Sequence, residues 1–242
     1  MSTTPSTPRS SRLPVGTIPG VLVLGVLVLL VAAMWRTSFG GESATAAGQD
    51  SEQVQQQPDY SHAERRDPAD PFALGPVDAP VGLVVFSDYQ CPFCAQWSRD
   101  TLPSMVDRAE IGDLRIEWRD VNVYGPDSRR AAMASFAAAA QDRFWDYHDA
   151  LFADGRIRSG DELSREGLVA LAGDLGLDTD RFAADMTSPA AEEEIARNEQ
   201  LGIDHGAMAT PVFLLGGKPL VGAQPPEVFL EAYQSALDSS GG

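Results

Sequence analysis

The chain has 242 residues, with 18 Lys plus Arg against 35 Asp plus Glu, a net charge of −17. Setting the tails aside leaves about 170 residues, enough for one domain with its own core. So acidic a domain is a poor partner for nucleic acid or an anionic lipid surface, and its charge reads as solubility. Two cysteines are too few for a disulfide scaffold. The three histidines, His62, His148 and His205, are scattered without ligand spacing, so no metal site is expected.

Residues 1–12 are rich in Ser, Thr and Pro and carry Arg9 and Arg12 but no acid. No charge occurs from Leu13 to Trp35, a stretch of about 20 apolar residues long enough to cross a bilayer as a helix, within which Val21–Ala33 is almost wholly aliphatic. Arginines before the segment and acids soon after Arg36 predict a cytoplasmic tail at 1–12, a transmembrane anchor at 13–35 and an extracytoplasmic remainder. The same segment fits a cleaved signal peptide, with Val31-Ala32-Ala33 or Ala44-Thr45-Ala46 as cleavage sites, but its length favours an uncleaved anchor. Either way the cysteines lie outside the cytosol, where disulfides persist. Residues 36–69 are Gly/Ser/Ala/Gln-rich, then charged, without periodicity, and predict a flexible linker in which His62 needs no function.

Folded structure is expected over 70–242. Phe72–Gly75 predicts a short edge strand before a turn at Gly75–Pro80, and Val81–Phe86 a buried strand. A helix opening at Pro92 carries Phe93, Trp97, Leu102, Met105, Val106 and Ala109 on one face, expected to be buried, with a kink at Pro103. Leu114–Val123 alternates Leu114, Ile116 and Trp118 with Arg115, Glu117 and Arg119, the pattern of a half-buried strand closed by Gly125-Pro126-Asp127. Residues 126–201 read as four or five helices, and His148 falls on an amphipathic face as a packed core residue. Val212–Leu215, a Gly216-Gly217 turn and Lys218–Val221 form a hairpin whose second strand Pro219 confines to an edge. A last helix opens at Pro226. Strands at both ends with helices between them predict one α/β sheet interrupted by a helical insertion.

The chemistry concentrates in Phe86-Ser87-Asp88-Tyr89-Gln90-Cys91-Pro92-Phe93-Cys94, which holds both cysteines. Proline is favoured at the first helical position, so Cys91 falls at the N-cap. A sulfur there faces unpaired N–H donors and the positive end of the helix dipole, both of which favour thiolate. Cys94 lies one turn further in, placed to attack a disulfide formed on Cys91. A bridge closing so small a loop constrains the unfolded chain little, so its use is exchange rather than stability.

Together with Ala209-Thr210-Pro211-Val212-Phe213, this stretch resembles the DsbA family of thiol–disulfide oxidoreductases, in its membrane-anchored bacterial branch, over Asp70 to Ser239. The resemblance implies a thioredoxin fold with a helical insertion, preceded here by one transmembrane helix. It implies that Cys91 is the exposed nucleophile, Cys94 its buried partner, and that Pro211 follows a cis peptide bond beside them. Thr210 is expected to shape a groove for extended substrate. The family's best-known member has histidine where Phe93 stands, which predicts a less acidic Cys91 and a less oxidising disulfide. Asp88 matches an acidic position of this branch, either relaying protons for Cys94 or ordering the turn, and His205 falls shortly before Thr210.

These features predict a membrane-tethered protein-thiol oxidase acting on exported cysteine-containing clients. No soluble cofactor is implied beyond the Cys91–Cys94 pair, and the resemblance implies reoxidation by a DsbB-like or vitamin K epoxide reductase-like membrane partner. A reductase or isomerase would use the same residues. A non-catalytic tethered chaperone or binding module is the reading from another class.

Overall fold

Val81–Ser87 (β2) carries no charged residue and is buried along its whole length, which marks it as the middle of a sheet. The computed structural model describes residues 60–241, and there β2 is the centre of five strands. The others are β1 (Ala73–Leu74), β3 (Leu114–Asp120), β4 (Val212–Leu215) and β5 (Lys218–Val221), in the order β1-β3-β2-β4-β5. β2 pairs with β3 in parallel, from Val81↔Leu114 to Ser87↔Asp120, and with β4 antiparallel, from Leu83↔Leu215 to Phe86↔Val212. Pro219 sits on the edge strand β5, where its missing N–H breaks no ladder.

Parallel neighbours need a crossover. It is made by α1 (Pro92–Asp100) and α2 (Leu102–Glu110), which separate at Thr101, two residues before Pro103. The insertion is α3 (Pro126–Ala139), α4 (Phe144–Leu151), α5 (Arg165–Asp174), α6 (Thr179–Asp185) and α7 (Pro189–Asp204), and α8 (Pro226–Ser240) ends the chain. The larger core lies on the sheet face of Leu83, Val85, Ile116 and Trp118, against Trp97, Met105 and the alanines of α3. A smaller one holds Val84, Phe86, Val121, Val212 and Leu214 on the opposite face. The expected tail at 1–12, the expected anchor at 13–35 and the expected linker up to residue 59 lie outside the described residues. Among the described residues no helix is long and apolar enough to cross a membrane.

Two expectations fail together. Arg115, Glu117 and Arg119 alternate with apolar residues as expected, yet all three are buried, and the segment expected to be flexible covers them from Tyr60 onward. Glu117 is the reason. One carboxylate oxygen accepts from the Arg66 N–H at 2.9 Å and Arg115 Nε at 2.9 Å; the other accepts from the Arg65 N–H at 2.8 Å and Arg119 Nη2 at 2.7 Å. Asp70 takes a second bond from Arg119 at 2.6 Å, and Arg65 reaches Glu194 and Asn198 on α7. Gly82 completes the strap, because a Cβ there would lie 2.1 Å from the Glu64 carboxylate. Burial alone would raise the Glu117 carboxyl, but Arg119 and the N–H donors outweigh it and hold it below the usual range. Removing one member of a buried charge network strands the others. Glu117→Ala is therefore expected to cost about 3–5 kcal/mol in urea unfolding; a loss near zero would show that the strap is ornamental to stability.

On the larger core face, β3 ends in a polar residue where the pattern asks for an apolar one. Asp120 is buried, accepting from Trp118 Nε1 at 2.9 Å and from the Ser135 hydroxyl at 3.2 Å. Burial pushes its carboxyl up to about 7. His148 packs against the Trp118 ring at 4.2 Å, and burial pushes its imidazole down to about 3. Both groups are thus neutral inside the fold in mildly acidic solution. Between about pH 4 and 7 folded Asp120 keeps a proton that the unfolded chain has lost, so its contribution to stability falls as pH rises. Between about pH 3 and 6.5 the unfolded chain binds a proton at His148 that the fold refuses, so this contribution falls as pH drops. Each spans roughly 4 kcal/mol, and the slopes oppose one another. Asp120→Asn removes one of them: its unfolding free energy is expected to drop steeply on acidification below about pH 6.5, where the wild type is flatter. Parallel pH profiles for the two proteins would refute a protonated Asp120.

Candidate active site

The site forms where β2 ends. Cys91 occupies the N-cap of α1 in extended conformation (φ −88, ψ 114), with Pro92 at the start of the helix and no side chain capping it. The Cys91 carbonyl accepts from Cys94 N at 3.1 Å and Ala95 N at 3.2 Å, and its own N–H donates to the Asp88 carbonyl at 3.0 Å. With no capping oxygen on the helix, the backbone of this first turn at Phe93 and Cys94 favours the ionised Cys91 sulfur.

Antiparallel pairing of Phe86 with Val212 brings the two residues before Val212 opposite the turn after Phe86. These are Thr210 and Pro211, joined by a cis peptide bond. The Cys91 thiol donates to the Thr210 carbonyl at 3.3 Å. The Thr210 hydroxyl is buried with no hydrogen-bond partner, and it favours the ionised form of Cys91. The Cys94 side chain, the Thr210 hydroxyl and the two backbone N–H groups together overcome burial and bring the Cys91 thiol down to about 5, with Cys94 the largest contributor. Burial, then the hydrogen bond and negative charge of Cys91, hold Cys94 well above an ordinary thiol. The pair divides into one sulfur that ionises readily and one that keeps its proton.

Several placements differ from expectation. Cys91 is as buried as Cys94 in this dithiol form, its sulfur turned toward Thr210 rather than exposed. Phe93, expected on the buried face, is 58% exposed, because the first turn of α1 projects beyond the sheet and meets the core only from Cys94, Ala95 and Trp97 onward. Both Asp88 oxygens are taken by backbone donors, Gln90 N at 2.7 Å and Tyr124 N at 3.0 Å, so the carboxylate orders the turn. His205 ends α7 on the opposite sheet face, its ring 4.7 Å from His62 and 6.3 Å from Phe86, away from the cysteines. Among the described residues no cluster of three or more His, Cys, Asp or Glu is arranged to hold a metal ion.

Sequence reasoning passed over three residues. The Ser87 hydroxyl, buried and without an oxygen or nitrogen partner, faces Cys94, and Ser87 is the register partner of Asp120. The signal for both was available: each is polar at an apolar position of the strand alternation. Tyr124, in the loop between β3 and α3, is tied to Asp88 through its N–H, the Cys91 charge raises its phenol above the ordinary value, and nothing in its local pattern marks it. Phe93 in the first turn of α1, Val123 and Tyr124 after β3, and Met208 before β4 expose apolar surface, and a cleft of about 250 Å³ is lined by Val121, Val123, Ile203 and Met208.

Comparison with known proteins agrees with this geometry. The model of the DSBA-like thioredoxin domain matches residues 82–234. Disulfide bond formation protein D of Bacillus subtilis is 30% identical over 153 residues, covering 60% of this chain and 67% of that protein. The Na(+)/H(+) antiporter NhaA of Herminiimonas arsenicoxydans is 39% identical over 160 residues, 65% of this chain but only 24% of the antiporter. The chain thus spans about a quarter of the length of the antiporters it matches. A thioredoxin-like oxidoreductase from Silicibacter pomeroyi superposes with a TM-score of 0.63 at 27% identity, covering 74% of this chain and 98% of that structure. Two cysteines at an uncapped helix start, a facing cis-proline loop and a helical insertion in the sheet accompany these matches, and the chain belongs to the DSBA-like thioredoxin domain family.

Proposed function

We propose that the chain works as an exported, membrane-tethered oxidase of protein thiols, with Cys91 as the exchanging sulfur and Cys94 as the resolving one. The observation that carries the direction is the acidity of Cys91, lowered to about 5 by donors gathered around one sulfur. A stabilised thiolate makes the reduced enzyme the favoured state and Cys91 a good leaving group. The tether rests on the uncharged stretch 13–35, and the exported location on the orientation its flanking charges dictate.

In the proposed cycle a client thiolate attacks the Cys91 sulfur of the oxidised pair. The Cys91–Cys94 bond breaks, a mixed disulfide forms, and Cys94 leaves as a thiolate that takes up a proton. A second client thiolate attacks the client sulfur of the mixed disulfide and expels Cys91 as a thiolate. The client gains one disulfide; the enzyme is left as a dithiol and has taken its two electrons. Thr210 lines the groove for an extended client, and the apolar collar of Phe93, Val123 and Met208 suits the unfolded segments in which client cysteines are still free. The cycle uses no cofactor beyond the cysteine pair, and a DsbB-like or vitamin K epoxide reductase-like membrane protein reoxidises it.

In Cys94→Ser the mixed disulfide has no internal thiol to resolve it, so clients and the reoxidant are expected to accumulate as covalent adducts of Cys91. A folded, exported variant that forms none would overturn exchange at Cys91. Alkylation trapping of the wild type in cells checks the direction. The oxidase reading expects a mostly oxidised pair at steady state, and a mostly reduced pair would assign the chain to reduction or isomerisation instead.

A further inference from the structure

The cleft between the end of β3 and the end of α7 lies on the sheet face away from α1. Two of its lining residues, Val121 and Ala207, belong to the smaller core. Both of its walls nevertheless run into the reacting site. Ala207 and Met208 stand three and two residues before Thr210, whose carbonyl accepts from the Cys91 thiol at 3.3 Å. Three residues of chain span at most about 11 Å, which bounds how far the cleft lies from that carbonyl. On the other wall, Val123 precedes Tyr124, whose N–H donates at 3.0 Å to Asp88 in the turn that delivers Cys91.

The cleft has fixed walls. Gly202 lets α7 close on the end of β3, since a Cβ there would lie 2.5 Å from Val121 Cγ1. Val121 N donates to the Ser87 carbonyl at 2.8 Å, Ala207 N to the Gly202 carbonyl at 2.8 Å and Met208 N to the Gly206 carbonyl at 2.9 Å. A ligand entering between them has little chain to order. The one acid in the lining, Glu199, is answered within the wall, accepting from Asn122 Nδ2 at 2.8 Å and Arg129 Nη1 at 3.0 Å. What stays open is apolar. Val123, Ile203 and Met208 are three of the nine large apolar side chains exposed among the described residues, and all three meet at this cleft. Its volume of about 250 Å³ is below that of a usual small-molecule pocket and suits a single side chain.

An extended chain passing Cys91 can supply that side chain. Ala209, exposed between Met208 and Thr210, makes no hydrogen bond to another described residue, so its N–H and C=O are open to an added strand. Along a strand, side chains two residues apart share a face at a spacing of roughly 6.6 Å. We propose that the cleft is a client subsite, taking an apolar side chain two residues from the client cysteine that reacts with Cys91. It selects cysteines set in apolar stretches, which are exposed only while a client is unfolded. The subsite serves the reaction proposed above and rests on Cys91 as the exchanging sulfur.

Two dithiol peptides test this, identical except that one carries Leu and the other Ser two residues before and after each cysteine. The oxidised full-length protein converts each dithiol to a disulfide as its own Cys91–Cys94 pair is reduced. Wild type is expected to oxidise the Leu peptide with a second-order rate constant about tenfold above that of the Ser peptide. Ile203→Gln puts a polar side chain of good helix propensity at an exposed position in the last turn of α7, leaving the core untouched. Its Leu-to-Ser ratio is expected to fall several-fold. Equal rates for the two peptides in wild type, or an undiminished ratio in Ile203→Gln, would overturn the subsite. Failure of wild type to oxidise either peptide would instead overturn the oxidase reading beneath it.

Discussion

A helix that begins without a capping oxygen leaves N–H groups pointing at whatever stands in the cap position, and here that is a sulfur. Cys91 is extended at the N-cap, Pro92 gives up the one N–H that no partner could reach, and the backbone of the first turn favours the ionised sulfur. Everything else in the site secures this junction. β2 must end at Ser87, so that Asp88 can fold back to hold Gln90; β4 must pair in register with Phe86, so that Thr210 arrives opposite the sulfur. A one-residue slip of β4 would turn its alternating side chains to the wrong faces and carry the Thr210 carbonyl away from Cys91. The reactive geometry is thus a consequence of sheet register.

The same register distributes charge across β3. On one face Glu117 is ionised, and four donors answer its two oxygens. On the other face Asp120 is given two neutral donors and no ion pair, and burial keeps it protonated into the neutral range. Two acids three residues apart on one strand are therefore handled oppositely, and what differs is the supply of buried arginine. The strap that carries Arg65 and Arg66 over Glu117 also covers a sheet face that helices leave only partly protected, which gives the segment before Asp70 a structural role its composition hides.

Patterns that depend on neighbours in the chain were legible. β2, the edge position of β5, the N-cap of Cys91 and the helices of the insertion follow from alternation, proline placement and 3.6-residue periodicity, which are local properties. Features set by distant partners were not. The alternation of Arg115, Glu117 and Arg119 correctly gave their common face but said nothing of a charged segment some 50 residues earlier folding over it. Composition cast that segment as tether because the charges that anchor it look, in isolation, like solvation. Phe93 fits the apolar spacing of its helix and yet lies outside, since spacing does not report where a helix overruns its sheet. Thr210 was placed by resemblance and not by any local pattern, because its position at the sulfur depends on the pairing of β4 with β2.

Where the donors come from bears on how such a site is tuned. A donor inside the Cys-x-x-Cys turn can be changed only by altering the turn that also sets the position of Cys94. A donor on the loop before β4 can change without disturbing either cysteine. On the oxidase reading, each group that bonds to thiolate but not to disulfide stabilises one side of the couple, so the reduction potential is a sum over these groups. The unpartnered Thr210 hydroxyl shows the arrangement from the other direction: in the dithiol form it is buried without an acceptor, a state that costs free energy until the sulfur ionises. The fold therefore leans toward the thiolate in two ways, by offering donors when it forms and by leaving one of them unsatisfied when it does not.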